Sequence, residues 1–226
     1  MILTSYSKTQ NGSDQFYKAL EKHIIACKDK FTAFDLSNIV YSISKSPNAN
    51  KDILADLEST VKSLLPKAKP IDMTNMLAAY ATSGKITPTL LKHFELEFKA
   101  KFEEMNAEDI SKYYYYFTFL DFAGEGTFYA YLQKSLTKLI KTFDGPHLRY
   151  MFYKFDCEDR TRLNIGVRGR LTDRVSDLIK EDKIKGYDLN EIYNHTKNLK
   201  PNREDKKQHD FNYKCQLHLE KIRYYV

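Results

Sequence analysis

Apolar residues recur along this chain at helical spacing, and the helical spacing itself recurs. Leu36, Ile39, Val40 and Ile43 stand at i, i+3, i+4 and i+7, the set that lines one face of an α-helix. The same set returns at Met73, Met76, Leu77 and Tyr80, at Ile110, Tyr113, Tyr114 and Phe117, and at Leu148, Met151, Phe152 and Phe155. A second stripe, spaced 3, 4 and 4, follows each one. It runs Leu54, Leu57, Val61, Leu65, then Leu91, Phe94, Phe98, Phe102, then Tyr129, Leu132, Leu136, Ile140, and approximately Val167, Leu171, Val175, Ile179. One step further back, Tyr17, Leu20 and Ile24 predict a leading helix over 14–28.

Ahead of the first stripe in each pair stands Asp35, Asp72, Asp109, His147 or Asp188, at steps of 37, 37, 38 and 41 residues. A carboxylate in the first turn accepts orphan backbone N–H groups and meets the positive end of the helix dipole, so the recurring Asp reads as a helix start. Turn-forming residues separate the stripes within units at Ser46–Asn50, Ser83–Pro88 and Ala123–Gly126, while Pro66, Pro70 and Pro146 mark the joins. A fixed period of this size is the signature of stacked helical hairpins, each burying its apolar face against its neighbours. The expected fold is all-α: a right-handed α-solenoid of about five helical hairpins with a 37–38-residue period. It forms a single domain over 1–226. A leading helix at 13–30 precedes helix pairs at 31–69, 70–106, 107–144 and 145–182, and 183–226 supplies a degenerate fifth repeat and a closing helix. An extended loop is expected from Asn198 to Asp210, then a helix over Phe211–Tyr225 carrying Tyr213, Leu217 and Ile222.

Composition narrows the function. Charged residues make up 29%, and the longest apolar or aromatic run, Tyr113 to Leu120, falls well short of the ~20 residues that span a bilayer. Cys27, Cys157 and Cys215 have no paired spacing and read as reduced thiols. His23 with Cys27, and Cys215 with His218, have helix-face spacing and lie far apart along the chain, so no metal site is expected. Ser83-Gly84-Lys85-Ile86-Thr87 lacks the earlier Gly of a phosphate loop and has no strand before it. No histidine has a nucleophile and an acid in a recognisable local arrangement, and neither an enzyme nor a cofactor is expected.

Two features point to partners. Net charge is +6, and six of the eight arginines fall between Arg149 and Arg174, a region that suits RNA or an anionic lipid. The block Tyr113-Tyr114-Tyr115-Tyr116 sweeps most of a helical turn, so Tyr113 and Tyr114 face inward while Tyr115 or Tyr116 faces out. Outward aromatics form the apolar centre of protein interfaces, which makes Tyr115, Tyr116, Phe119, Tyr150 and Tyr153 the interface candidates.

FTAFDLSNIVYSISKS at 31–46 resembles the opening helix of the organellar helical-repeat proteins, namely the octotricopeptide and FAST-kinase-like families and the RAP proteins of protists. DMTNMLAAYATSG at 72–84 and AEDISKYYYYFTFLDFAGEG at 107–126 are similar, and the resemblance extends over about 31–180. It implies a mitochondrial protein, in the matrix or on the matrix face of the inner membrane, built on an ancestral RNA-binding scaffold. Base-reading repeats place polar residues in one column of successive helices. Here one column runs Ser37, Thr74, Ser111, Arg149, Asn190 and the next Asn38, Asn75, Lys112, Tyr150, Glu191. The expected function is a non-catalytic structural subunit of a large mitochondrial assembly, foremost an accessory subunit of a respiratory-chain complex or ATP synthase, with other subunits as partners. The alternative is an organellar RNA-binding factor or mitoribosomal protein using Asn38, Asn75, Lys112, Arg149, Arg160, Arg162, Arg168, Arg170 and Arg174.

Overall fold

The structure, a computed structural model, describes residues 5, 13–122, 126–155, 163–198 and 206–224. The described chain is all-α with sequential helix–helix packing, and it divides into two compact units, Met1–Glu104 and Met105–Val226. The first unit contains α1 (Asp14–Cys27), α2 (Ala33–Lys45), α3 (Ile53–Leu64), α4 (Pro70–Ser83) and α5 (Pro88–Lys101). The second contains α6 (Ala107–Phe119), α7 (Gly126–Leu139), α8 (Gly145–Met151), α9 (Ile165–Lys180), α10 (Gly186–Asn194) and α11 (Lys206–Tyr224). No described helix is long and apolar enough to cross a membrane.

Within each unit the helices sort into two layers. In unit 1, α2 packs along α4, while α3 packs on α1 and on α5. In unit 2, α8 lies between α6 and α10, and α9 packs on α7 and α11. The stripes predict which residues meet. Leu36, Val40, Leu54, Leu57, Val61, Met73, Met76, Leu77, Phe94 and Phe98 have no solvent exposure in unit 1, nor have Ile110, Leu132, Leu136, Leu148, Met151 and Phe152 in unit 2. Each such aliphatic side chain contributes about 1.5–3 kcal/mol on burial.

Several positions depart from the expected stripes. Leu20, Ile39 and Phe102 are only half-buried. On α9 the fourth buried residue is Leu178, with Ile179 turned partly outward. On the closing helix the buried side is Phe211, Cys215 and His218, while Tyr213 and Leu217 are exposed. The reason is the docking of α11: Phe211 stacks on Phe152 at 5.9 Å, and Asn212 donates to the Thr196 carbonyl at 3.1 Å. These contacts rotate Tyr213 and Leu217 away. The helix also begins at Lys206, inside the stretch expected to be an extended loop.

The recurring acid is the third residue of its helix. Thr32 and Asp35 form a reciprocal capping box at α2, Asn106 and Asp109 at α6, and Asp144 with His147 at α8; each satisfies two orphan donors. At α4 and α10 the equivalent Asp72 and Asp188 have no capping partner of this kind, because Lys69 and Lys185 stand at the cap. The turn at Ser83–Pro88 is a helix end: Gly84 adopts φ +67°, and Lys85 N–H returns to the Tyr80 carbonyl at 3.2 Å.

Long cationic side chains satisfy the carbonyls left at helix ends. Lys101 Nζ donates to the Leu65, Pro66 and Ala68 carbonyls at 3.1, 2.8 and 2.8 Å. Lys51 reaches the Ile43 and Ser46 carbonyls, and burial pulls its amine below the ordinary lysine range. In unit 2, Arg174 Nε meets the Phe143 carbonyl and Arg168 Nη2 the Phe155 carbonyl, both at 2.9 Å.

Candidate interaction surface

The side of α6, α8 and α10 turned away from the core is built around Tyr115. Its neighbours Tyr113, Tyr114 and Phe117 point inward with no exposure, which leaves Tyr115 on the opposite side of α6. There it meets four rings: Tyr153 at 4.8 Å, Tyr116 at 5.0 Å, Tyr150 at 5.1 Å and Phe119, stacked, at 6.1 Å. Tyr153 continues the cluster to His195 at 5.4 Å, edge to face. Such edge-on and offset contacts are favourable for aromatic quadrupoles, about 0.5–1.5 kcal/mol per pair beyond burial. Burial, then the Tyr153 and Tyr150 hydroxyls, push the Tyr115 phenol above the ordinary tyrosine range, so it stays a neutral donor.

Cations border the rings. The Arg149 guanidinium lies 5.4 Å from the Tyr150 ring and 5.1 Å from that of Tyr187, and Lys154 Nζ lies 5.4 Å from the Tyr153 ring. Arg149 Nε is 3.6 Å from Asp188 Oδ1. That carboxyl is buried, and burial holds it above the ordinary carboxylate range while Arg149 pulls the other way. Asp188 also presses on α8, since a Cβ added to Gly145 would stand 2.8 Å from Asp188 Oδ2.

The structure gathers Tyr115, Phe119, Tyr150 and Tyr153 on one surface. Tyr115, Tyr150 and Tyr153 are half-buried and Phe119 is 41% exposed. Tyr116 turns inward and is buried. The RNA candidates are divided between the two units. Asn38 and Asn75 are half-buried in unit 1, with Asn38 Nδ2 donating to the Phe34 carbonyl at 2.9 Å. Lys112 pairs with Glu108 at 2.5 Å. Arg168 and Arg174 lie on α9 and hold carbonyls, Arg170 is exposed, and Arg160 and Arg162 fall outside the described residues. The first column considered for base reading is closed to a ligand at Ser37, Thr74 and Ser111, which have no exposure. Ser37 instead donates to Asp72 at 3.1 Å, and Arg149, at the equivalent helix position, pairs with Asp188. At Ser37 and Arg149 that column therefore links one helix to the next.

Sequence reasoning missed Tyr187, Lys154 and His195. Tyr187 had a signal: it is the residue before the recurring acid, as Phe34 and Ile71 are, and all three are exposed. Lys154 and His195 follow helix ends, where no periodic pattern marks them.

Cys27 Sγ is 3.9 Å from His23 in unit 1; in unit 2, burial pushes the Cys215 thiol up to about 12. Cys157 lies outside the described residues. No group of three or more metal-capable side chains forms among the described residues. Comparison with protein-family models and with curated proteins finds no match for the chain.

Proposed function

We propose that the protein is a non-catalytic scaffold: a right-handed α-solenoid of about five helical hairpins, 37–38 residues each, that docks onto other subunits of a large assembly. The observation that carries this reading is the preassembled ring cluster of Tyr115, Phe119, Tyr150 and Tyr153. Rigid aromatic groups lose little conformational entropy on association and dominate binding energy where they are desolvated. The resemblance of the α2, α4 and α6 segments to organellar repeats favours a mitochondrial setting, with an accessory subunit of a respiratory-chain complex or ATP synthase as the leading form. RNA binding is the weaker reading. A phosphate chain needs a run of available cations, and Lys112, Arg168 and Arg174 already have partners within the chain.

Native fractionation of the source membranes tests the proposal. Comigration with a large complex that persists after ribonuclease supports it, as does release of a Tyr115→Ala, Tyr150→Ala chain that keeps its helicity. A free monomer that binds single-stranded RNA, with affinity falling steeply as salt rises, overturns it in favour of RNA.

A further inference from the structure

We propose that Arg149 is the anchor for a single carboxylate carried by the protein partner, an Asp or Glu side chain set among apolar residues. This rests on the scaffold reading above and adds the chemistry of the partner. Arg149 is held side-on. Tyr150 and Tyr187 border its guanidinium, and its ion pair with Asp188 runs through Nε at 3.6 Å. Charge-assisted N–H···O bonds close to about 2.7–2.9 Å, so this pair is an electrostatic contact that leaves the Nη fork without an acceptor. Among the described residues Arg149 makes no other ion pair or hydrogen bond. Asp188 cannot swing round to serve the fork, because its carboxyl is buried against Gly145.

The surroundings select the ligand. Tyr187 is 64% exposed and extends the aromatic surface beyond Arg149. Of the other cations on this side, Lys112 is matched to Glu108 and Lys154 to Asp121 and the Thr118 carbonyl, while Lys185, at the cap of α10, is exposed. One open fork suits one carboxylate, which guanidinium binds with two parallel bonds. The aromatic rows on either side suit apolar residues flanking that acid.

The native assembly provides the test. Phenylglyoxal should modify Arg149 in the purified chain and leave it protected in the assembly. Arg149→Lys keeps the charge beside Asp188 but removes the fork, so it should fold with an unchanged melting temperature and bind about tenfold more weakly or worse. Carbodiimide applied to that variant should couple the new amine to an Asp or Glu of the partner; exclusion of a well-folded variant from the assembly also supports the anchor. Equal phenylglyoxal reaction in chain and assembly, with Tyr115 covered, overturns the anchor and leaves the scaffold reading standing. Coupling to Asp188 alone overturns it as well. If neither Tyr115 nor Arg149 is covered in any assembly, the scaffold reading falls and the anchor with it.

Discussion

The two units place different residues at equivalent positions on the outward side of α2 and α4 and of α6, α8 and α10. In unit 1 the second helical residues, Phe34 and Ile71, are exposed apolar groups; Asn38 and Asn75 follow one turn on, and then Tyr41 and Ala78. In unit 2 the same places hold Glu108, Pro146 and Tyr187, then Lys112, Tyr150 and Glu191, then Tyr115 and Tyr153. Among the described residues Tyr41 has the Lys45 ammonium over its ring at 5.5 Å and no ring contact. Tyr115 on α6 and Tyr153, in the turn after α8, meet at 4.8 Å. Ring clusters therefore need bulk at matched positions on neighbouring helices, and only unit 2 supplies it. The inward positions keep their apolar or aromatic character in both units while changing size, as at Val40, Leu77, Tyr114 and Phe152.

That contrast can be broken at the core. Leu77 of α4 has no exposure, and Leu77→Asp buries an unpaired charge, at a cost of several kcal/mol. Hydrogen exchange should show α2 to α5 losing protection together. A variant that melts like the parent refutes the layer assignment in unit 1.

A smaller difference is expected between the cations that hold helix ends. Lys101 serves three carbonyls in unit 1, and Arg174 serves one in unit 2. Lys101→Met should cost about 2–3 kcal/mol and Arg174→Met about half that, since hydrogen bonds from charged donors contribute ~1.5–3 kcal/mol. Urea melts of the two variants check the order; equal losses would show that the extra carbonyls are satisfied by water.

The next comparison concerns one buried ring. Tyr80, the eleventh residue of α4, donates to the Leu54 carbonyl at 2.6 Å, and burial pushes its phenol far above the ordinary range. The eleventh residue of α6 is Phe117, which has no hydroxyl and stacks on Phe128 at 4.3 Å. Tyr80→Phe should cost about 1 kcal/mol, whereas Phe117→Tyr should cost more, because it brings in a buried hydroxyl.

The smallest effect is a difference in pH response. The Thr32 hydroxyl and then its backbone N–H hold Asp35 below the ordinary carboxylate range. Its contribution is complete above the unfolded pKa and is lost as pH falls through the lower folded value. Asp188 is shifted upward by burial, so its charged form weighs against folding at neutral pH. That penalty is relieved as pH falls through the folded value towards the unfolded one. Amide protection relative to intrinsic exchange should therefore fall at the start of α2 and rise at the start of α10 between about pH 5 and pH 3. Asp35→Asn should abolish the first trend.

Helix identity and the inward faces were legible in the sequence because both depend on local spacing: Leu54, Leu57 and Val61 can share one side of a helix in only one way. The closing helix was not, since Phe211 and Tyr213 are equally apolar choices until Phe152 stacks on one of them. The candidate surface was half legible. A tetrad of tyrosines guarantees an outward ring, but which ring faces out depends on how α6 is rotated against its neighbours, and that rotation buries Tyr116 and leaves Tyr115 half-open.

By itself, then, and apart from the closing helix, the order of residues determined where helices begin, which of their sides are apolar and that those sides recur, because capping and amphipathicity act within a few residues. Only the tertiary structure decided that Ser37 and Arg149 link successive helices, that Arg168 and Arg174 close carbonyls, and that Arg149 keeps an open fork between two tyrosines. Apart from the Tyr150 ring, those outcomes bring groups distant along the chain to between 2.9 and 5.1 Å of one another, a distance that helix packing sets and local spacing does not encode.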